Sequence, residues 1–130
     1  MIGHLAVITS EAENSFIRTT WGDARGWLGA HDRAVEGTFV FVGGPETGLT
    51  PSYSNWKSGM PDNNGNNEDC LEMNAGWNDY ICSNALQGYY IELDCPGTML
   101  QGAYGCSRAY HTRSGFCCLT MCAIDLLFDV

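Results

Sequence analysis

The stretch Asp62-Asn63-Asn64-Gly65-Asn66-Asn67-Glu68-Asp69 lies near the middle of this 130-residue chain and is followed by Trp77-Asn78-Asp79. The first segment holds no apolar side chain, and both segments are rich in carboxylate and amide oxygens. Folding brings such oxygens together at a cost unless a cation compensates them. Ca²⁺ takes about six to eight oxygen ligands, whereas Mg²⁺ demands a stricter octahedron that suits a flexible Asn-Gly loop less well. The stretch therefore predicts a calcium site, the alternative being a solvated acidic loop.

The charge and length of the chain limit the classes of function. Fifteen acidic residues against six basic ones give a formal net charge of −9. Nucleic-acid binding needs clustered Lys and Arg, so no nucleic-acid partner is expected. The length allows one domain with a modest core. No transmembrane segment is expected, because no apolar run has the length of a span, and the first residues do not resemble a cleavable signal.

Seven cysteines are many for a chain of this length and favour an oxidising compartment, either extracellular or lumenal. Residues 95–130 are predicted to be a cysteine-rich C-terminal extension that follows a domain at residues 1–94. The extension contains Cys95, Cys106, Cys117, Cys118 and Cys122. Because this number is odd, at least one thiol is free or pairs between chains, and the pairing stays open. A zinc site formed by His111 with the last three cysteines is conceivable, although the spacing is not a recognised pattern.

Residue patterns along the first 94 positions predict one helix and several short strands. A capping box of Ser10 and Glu13 begins a helix that ends near Trp21. The residues Ala12, Phe16, Ile17 and Thr20 fall on one face of this helix. Strands are predicted at residues 4–9, 26–30, 37–42, 70–73 and 88–93, and those at 26–30 and 37–42 should pair. Residues 43–79 lack periodicity, so metal and a disulfide are the available stabilisers of this long loop.

Several short motifs occur in a fixed order along residues 3–93. They are Gly3-His4-Leu5-Ala6, Trp27-Leu28-Gly29, Glu36-Gly37-Thr38-Phe39, Tyr53-Ser54-Asn55-Trp56, Gly59-Met60-Pro61-Asp62, Asn67-Glu68-Asp69-Cys70 and Trp77-Asn78-Asp79 with Cys82. Each motif alone is weak, but the ordered series resembles the C-type lectin-like domain family. The resemblance implies an α+β fold with two small antiparallel sheets, a flanking helix and a long calcium-binding loop. It also implies a recognition module that is not an enzyme.

The resemblance further implies which residues bind calcium and sugar. The principal calcium site, whose oxygens also hydrogen-bond two neighbouring sugar hydroxyls, falls on Asp62, Glu68, Asn78 and Asp79. An auxiliary calcium site falls on Asp32, Glu36, Asn63 and Asp69. The family pattern also implies a disulfide between Cys70 and Cys82 and a cis peptide bond before Pro61. The expected function is calcium-dependent carbohydrate binding, with a glycan or glycoprotein as partner.

Met60 departs from the pattern of the family's sugar-binding members, which have Glu or Gln at this position. A thioether is a soft donor and cannot replace an oxygen ligand of calcium. One calcium ligand and one hydrogen-bond partner of the sugar are therefore lost. The alternative function is a lectin-like fold that serves as a structural or protein-interaction subunit without sugar binding. A protein partner or a neighbouring subunit would then take the place of the glycan.

The aromatic and histidine residues have predicted structural roles. Trp27, Trp56 and Trp77 lie in strand or loop-anchor motifs and are expected in the core, whereas Tyr53 and Tyr80 are candidates for an exposed aromatic platform. His4 and His31 are expected to be structural.

Overall fold

A computed structural model describes residues 3–86 and 88–93, together with the backbone of residues 125–128. The described residues form the elements β1 (Gly3–Leu5), α1 (Glu11–Trp21), β2 (Gly26–His31), β3 (Val40–Phe41), β4 (Cys70–Met73), β5 (Trp77–Tyr80), β6 (Gly88–Leu93) and β7 (Asp125–Phe128). A short 3-10 helix at Asn64–Asn66 lies in the long loop. The predicted α+β class is confirmed.

The helix α1 begins at the predicted capping box. The Glu13 backbone N–H donates to the Ser10 side chain over 3.3 Å, and the Ser10 N–H donates back to the Glu13 carboxylate over 3.1 Å. Two orphan N–H groups at the helix start are thereby satisfied.

The face that α1 turns toward the core differs from the predicted one. Ile17 is buried as expected, but Ala12 and Thr20 are exposed and Asn14 is buried instead. The physical reason is a polar contact, because the Asn14 side chain accepts a hydrogen bond of 3.2 Å from Trp77 Nε1. This bond satisfies a buried indole N–H and places a polar residue inside the helix–sheet interface.

The strands form one hydrogen-bonded network rather than two separate sheets. Their order is β1-β6-β2-β4-β5, with β3 paired to β2 and β7 paired to β6. Every pairing is antiparallel except that of β2 with β6, which is parallel at Trp27 and Tyr89. The two predicted antiparallel sheets are therefore joined at this point. Gly29 permits β2 to approach the end of β1 closely, since a Cβ there would lie 2.6 Å from the Leu5 carbonyl oxygen.

All five predicted strands are present: β4 and β6 have the predicted bounds, β2 is one residue longer, and β1 and β3 are shorter, whereas β5 was not predicted as a strand. The strand at 26–30 pairs with the following one as expected, in the register Ala30 with Phe41. However, β3 covers two residues of the predicted 37–42, and β1 ends at Leu5. Ala6, Val7 and Ile8 continue as buried, non-strand chain that packs in the core.

Four residues of the predicted C-terminal extension belong to the sheet, because β7 pairs with β6 in the register Gly88 with Phe128. The proposed boundary at residue 94 remains a prediction. The cysteines of the extension and the conceivable zinc ligand His111 lie outside the described residues. Within the described part of the chain, no helix is long and apolar enough to cross a membrane.

An aromatic cluster joins the long loop to the core. Trp77 is fully buried, and its ring lies 5.7 Å from that of Trp56 and 5.8 Å from that of Tyr53, both edge to face. Such pairs add about 0.5–1.5 kcal/mol beyond the area they bury. The Tyr53 hydroxyl also donates to the Glu11 carboxylate on α1. The prediction of Tyr53 as an exposed platform is therefore wrong, because its ring is partly buried against that of Trp77.

The other two predicted aromatics, Trp27 and Tyr80, are partly buried on the opposite face of the sheet. Their rings are 6.3 Å apart, and the Arg25 guanidinium lies 4.7 Å above the Tyr80 ring. Arg25 thus covers the surface that was expected to be a free platform.

Candidate functional site

The long loop returns to the core through backbone bonds at its base. The Trp77 N–H donates to the Asn55 carbonyl over 2.7 Å, and the Lys57 N–H donates to the Trp77 carbonyl over 2.9 Å. The Met60–Pro61 peptide bond is cis, as predicted. The predicted disulfide is confirmed between Cys70 and Cys82, whose Cα atoms are 5.1 Å apart. It connects β4 to the turn after β5.

Three of the four residues predicted for the principal calcium site converge, and we call Asp62, Glu68 and Asp79 the principal cluster. One carboxylate oxygen of each lies within 4.8 Å of the others. Asp79 and Glu68 are buried, whereas Asp62 is exposed. The loop is therefore arranged with two carboxylates at its base and one at its surface.

The backbone of the long loop binds the buried carboxylates of the principal cluster. Asp79 accepts N–H groups through both oxygens, from Asp62 over 3.2 Å and from Asn63 over 2.6 Å. Glu68 accepts the Asn64 N–H over 3.0 Å. Hydrogen bonds to charged groups contribute about 1.5–3 kcal/mol each. The loop conformation is thus tied to these two side chains.

A second group of carboxylates, which we call the auxiliary cluster, consists of Asp32, Glu36 and Asp69. Their ligand oxygens also lie within 4.8 Å of one another. Asp32 follows β2 and is 2% exposed, and its Oδ2 accepts the Gly37 N–H over 2.8 Å. Its Oδ1 is buried and has no hydrogen-bond partner among the described residues. A buried carboxylate oxygen without a partner is costly, so a cation is the natural group to satisfy it.

Asn63 connects the two clusters. Its N–H binds Asp79, its Oδ1 accepts the Glu68 N–H over 3.1 Å, and its Nδ2 donates to Glu36 Oε2. The residue adopts a left-handed backbone with φ 44°, which Asn tolerates better than most residues. The predicted auxiliary ligand Asn63 therefore contacts residues of both clusters.

Asn78, the fourth residue predicted for the principal site, is held by its amide nitrogen. This nitrogen donates to Glu72 Oε1 over 2.9 Å and to the Asp79 carbonyl over 2.7 Å. The amide oxygen is the side-chain atom left for a cation. Glu72 was not predicted as a site residue, although it is the one charged residue in the predicted strand Cys-Leu-Glu-Met at 70–73.

The carboxylates of both clusters perturb one another. Burial raises the pKa of Asp32, and the charges of Asp69 and Asp79 raise it further against the lowering effect of the Gly37 N–H. Burial likewise raises the pKa of Glu68, with further increases from the charges of Asp79 and Asp62. Like charges that face each other disfavour ionisation, and a bound cation removes that penalty.

The same effects act on Glu36 at the edge of the auxiliary cluster. Partial desolvation raises the pKa of its side chain, and the charges of Asp32, Asp69 and Asp79 add to the increase. The donor set of both clusters consists of oxygens without nitrogen or sulfur. Oxygen donors of this kind suit a hard cation such as Ca²⁺. Both the all-oxygen donor sets and the unpartnered Asp32 oxygen are what a calcium site requires, so the residues present fit calcium.

Met60 precedes the cis proline and is partly buried. Its side chain offers sulfur and no oxygen. The loss of one oxygen ligand of calcium at this position remains a prediction.

A family model described as the lectin C-type domain matches residues 1–91. Perlucin from Haliotis laevigata is 43% identical over 88 residues, covering 61% of this chain and 54% of perlucin. An alpha-N-acetylgalactosamine-specific lectin from Patiria pectinifera is 35% identical over 97 residues, covering 65% of this chain and 55% of that lectin. The low affinity immunoglobulin epsilon Fc receptor of Mus musculus is 36% identical over 92 residues, covering 69% of this chain and 27% of the receptor. The chain thus spans about half the length of the first two relatives and about a quarter of the third.

Solved structures give the same result for the fold. The mouse scavenger receptor C-type lectin carbohydrate-recognition domain aligns with a TM-score of 0.60 and 30% identity, covering 68% of this chain and 69% of that one. The cow C-type carbohydrate-recognition domain of CD23, solved in the presence of a GlcNAc2Man3 oligosaccharide, aligns with a TM-score of 0.59 and 32% identity, covering 68% and 67%.

Proposed function

We propose that this chain, which belongs to the lectin C-type domain family, binds carbohydrate in a calcium-dependent manner through its long loop. The observation that carries the proposal is the principal cluster, in which three carboxylate oxygens lie within 4.8 Å of one another. Two similar proteins support the step to carbohydrate, since one is named an alpha-N-acetylgalactosamine-specific lectin and another was solved in the presence of an oligosaccharide.

The residues of the principal cluster would contribute in different ways. Glu68 and Asp79 are buried and hydrogen-bonded to the loop backbone, so they would hold the cation at a fixed position. Asp62 is exposed and would contact both the cation and a sugar hydroxyl. The Asn78 amide oxygen would be a further ligand. When bound, Ca²⁺ would offset the negative charges and offer coordination positions to two neighbouring hydroxyls.

The auxiliary cluster is proposed as a second calcium site. Asp32, Glu36 and Asp69 would supply carboxylates, with Asn63 next to them. The buried, unpartnered oxygen of Asp32 supports this part of the proposal. Occupation of this site would stabilise the middle of the long loop through the contact of Glu36 with Asn63.

The setting of the domain is part of the same proposal. We place the chain in an extracellular or lumenal compartment, because the Cys70–Cys82 disulfide persists under oxidising conditions. Its partner would be a glycan or glycoprotein. The family is one of recognition modules, and we propose binding rather than catalysis for this member.

Met60 favours a second candidate function, in which the lectin-like fold recognises a protein or serves as a structural subunit. The residue brings no oxygen to the place where sugar-binding relatives supply one. One similar protein is named an immunoglobulin Fc receptor.

A glycan array run with calcium and then with a chelator tests the proposed function. Binding to a glycan that is lost with chelator and in Asp62→Asn supports it. Asp23→Asn, which alters an exposed acid on the turn after α1, is the matched control and should bind normally. If the wild-type chain binds no glycan while calcium binding is measurable, the carbohydrate step is wrong and the second candidate gains.

Met60→Gln separates the two candidates further. The substitution supplies an amide oxygen beside Pro61, and we expect stronger calcium binding and stronger glycan binding than in the wild-type chain. Calorimetric titration with calcium and the same array measure both effects. Met60→Leu, which keeps the apolar volume, should behave as the wild type does. A variant with Gln that gains calcium affinity but no glycan affinity would contradict carbohydrate binding.

A further inference from the structure

Glu72 lies on β4 directly opposite Asn78 on β5. Directly opposed residues of an antiparallel pair present their side chains on the same face. Glu72 is fully buried, and its carboxylate lies among several donors. Two of these donors bear on the long loop, namely the Arg25 guanidinium and the Asn78 side-chain amide.

Arg25 binds the Glu72 carboxylate in a two-pronged arrangement. Its Nε donates to Oε2 over 3.0 Å, and its Nη2 lies 2.8 Å from each oxygen. The guanidinium is in turn packed over the Tyr80 ring. A planar guanidinium that binds both oxygens fixes the plane of a carboxylate. Glu72 therefore has a defined orientation toward the strand beside it.

The second donor is Asn78 Nδ2, whose hydrogen bond to Glu72 Oε1 is 2.9 Å long. The other acceptor of the same nitrogen is the Asp79 carbonyl at 2.7 Å. An ionised carboxylate accepts hydrogen bonds and donates none. Glu72 can thus bind the NH₂ end of the Asn78 amide but not its oxygen end. The amide is held with its nitrogen toward Glu72 and its oxygen on the other side.

We propose that Glu72 is a positioning residue that selects the amide orientation in which Asn78 offers oxygen to the cation. The inference rests on the proposed calcium site and adds to it a residue that touches neither cation nor sugar. Outer groups that orient metal ligands alter metal affinity by about 10- to 100-fold when changed. Glu72 is not among the ligand positions that the family resemblance implies.

The variant Glu72→Gln tests the orientation with little change of shape. Oε1 of Glu72 accepts from Asn78 and also from Asn74 Nδ2 over 3.2 Å, whereas Oε2 accepts from both Nε and Nη2 of Arg25. The charged guanidinium is the strongest of these donors, so the Gln carbonyl oxygen should take the place of Oε2 and its NH₂ group that of Oε1. Two NH₂ groups cannot hydrogen-bond each other, so the Asn78 amide should rotate and present nitrogen to the cation. Calcium affinity measured by calorimetry should fall about 10- to 100-fold. Asn78→Asp alone should also weaken binding, because its carboxylate would face that of Glu72.

The double variant Glu72→Gln/Asn78→Asp should restore most of the lost affinity. The NH₂ group of the first substitution can donate to the carboxylate of the second, whose other oxygen then faces the cation. A merely structural role of Glu72 predicts no such rescue. Glu92→Gln is the matched control, since it changes another buried strand carboxylate, whose Oε2 accepts the Val7 N–H, and should leave calcium affinity unchanged.

A readout without calcium completes the test. In chelated protein, the NMR signals of the Asn78 side-chain NH₂ should show slow hydrogen exchange, and Glu72→Gln should shift them and remove that protection. If Glu72→Gln does not fold in chelator, Arg25→Lys, which keeps the charge but not the two-pronged geometry, should produce the same changes in smaller measure. Unchanged amide signals, or a wild-type calcium affinity in the variants, would overturn the inference. A wild-type chain that binds no calcium would overturn the proposed function as well, which distinguishes the two failures.

Discussion

The two carboxylate clusters differ in how the chain satisfies their most buried members. In the principal cluster, the backbone N–H groups of Asp62 and Asn63 donate to the two oxygens of Asp79. In the auxiliary cluster, one oxygen of Asp32 accepts the Gly37 N–H, and the other has no hydrogen-bond partner among the described residues. Both clusters consist of three carboxylates in close proximity. The first is organised by the chain itself, and the second contains a buried acceptor that remains unsatisfied. The two should therefore respond differently when a carboxylate or a cation is removed.

The largest effect is expected from Asp79→Ala in the principal cluster. The substitution removes a charged ligand and leaves the N–H groups of Asp62 and Asn63 without their acceptor. We expect the calcium-dependent rise in melting temperature to disappear and the free energy of unfolding in chelator to fall by about 1–3 kcal/mol. Thermal and denaturant unfolding with and without calcium measure both. Asp23→Ala is the control, and a calcium response that persists in Asp79→Ala would contradict the assignment.

Asp32→Asn should have an effect of different sign in chelator. The amide keeps an acceptor for the Gly37 N–H and places a donor where the unpartnered oxygen lies, near the carboxylates of Asp69 and Glu36. We expect one calcium ion fewer per chain by calorimetry, with a chelated domain that is as stable as the wild type or more stable. A clear loss of stability in chelator would show that the Asp32 charge is already satisfied.

The pH dependence of the domain's stability should have opposite signs in chelator and in calcium. The pKa values of Asp32, Glu36 and Glu68 are raised by burial and by neighbouring charges. In chelator, their contribution to stability is full below the ordinary pKa values of 3.8 and 4.5 and is lost as the pH rises through the raised ones. With calcium, ligands must lose their protons, so affinity falls as the pH decreases through the same range.

Melting curves between pH 4 and pH 8 test this sign change. Glu92 complicates the chelated series, because burial raises its pKa to about 7 and its contribution is lost as the pH rises through that value. The series is therefore best run in the Glu92→Gln background. Parallel pH profiles with and without calcium would contradict the proton competition expected of the two clusters.

The smallest effect is expected from Asn63→Gly, which tests whether the clusters are coupled. Glycine accepts the left-handed backbone at this position, and the substitution removes the side-chain bonds to Glu68 and Glu36. We expect severalfold weaker calcium binding at both sites and less cooperativity between them, measured by calorimetric titration. If only one site is affected, Asn63 does not connect the two clusters.

The parts of the molecule that follow local patterns were predictable from the sequence. The capping box at Ser10, the pairing of β2 with β3 and the Cys70–Cys82 disulfide depend on short motifs or on the family resemblance, and each is confirmed. The convergence of Asp62, Glu68 and Asp79 follows from the same motif series.

Contacts between distant residues were not predictable in this way. The burial of Asn14 depends on the indole of Trp77, and Tyr53 is partly buried because its ring packs against the same indole. The role of Glu72 depends on Arg25, which is 47 positions away in the sequence. Periodicity along one segment carries no information about such partners.

A calcium-titrated thermal melt tests the central claim most directly. At calcium concentrations about a hundred times the dissociation constant, binding to the folded state alone adds about 2.7 kcal/mol of stability. For a domain of this size, that corresponds to a rise of about 10 °C in melting temperature. We predict this rise for the wild-type chain, its reversal by chelator, and a much smaller response to magnesium. A melting temperature that does not change with calcium would contradict the calcium site and the function built on it.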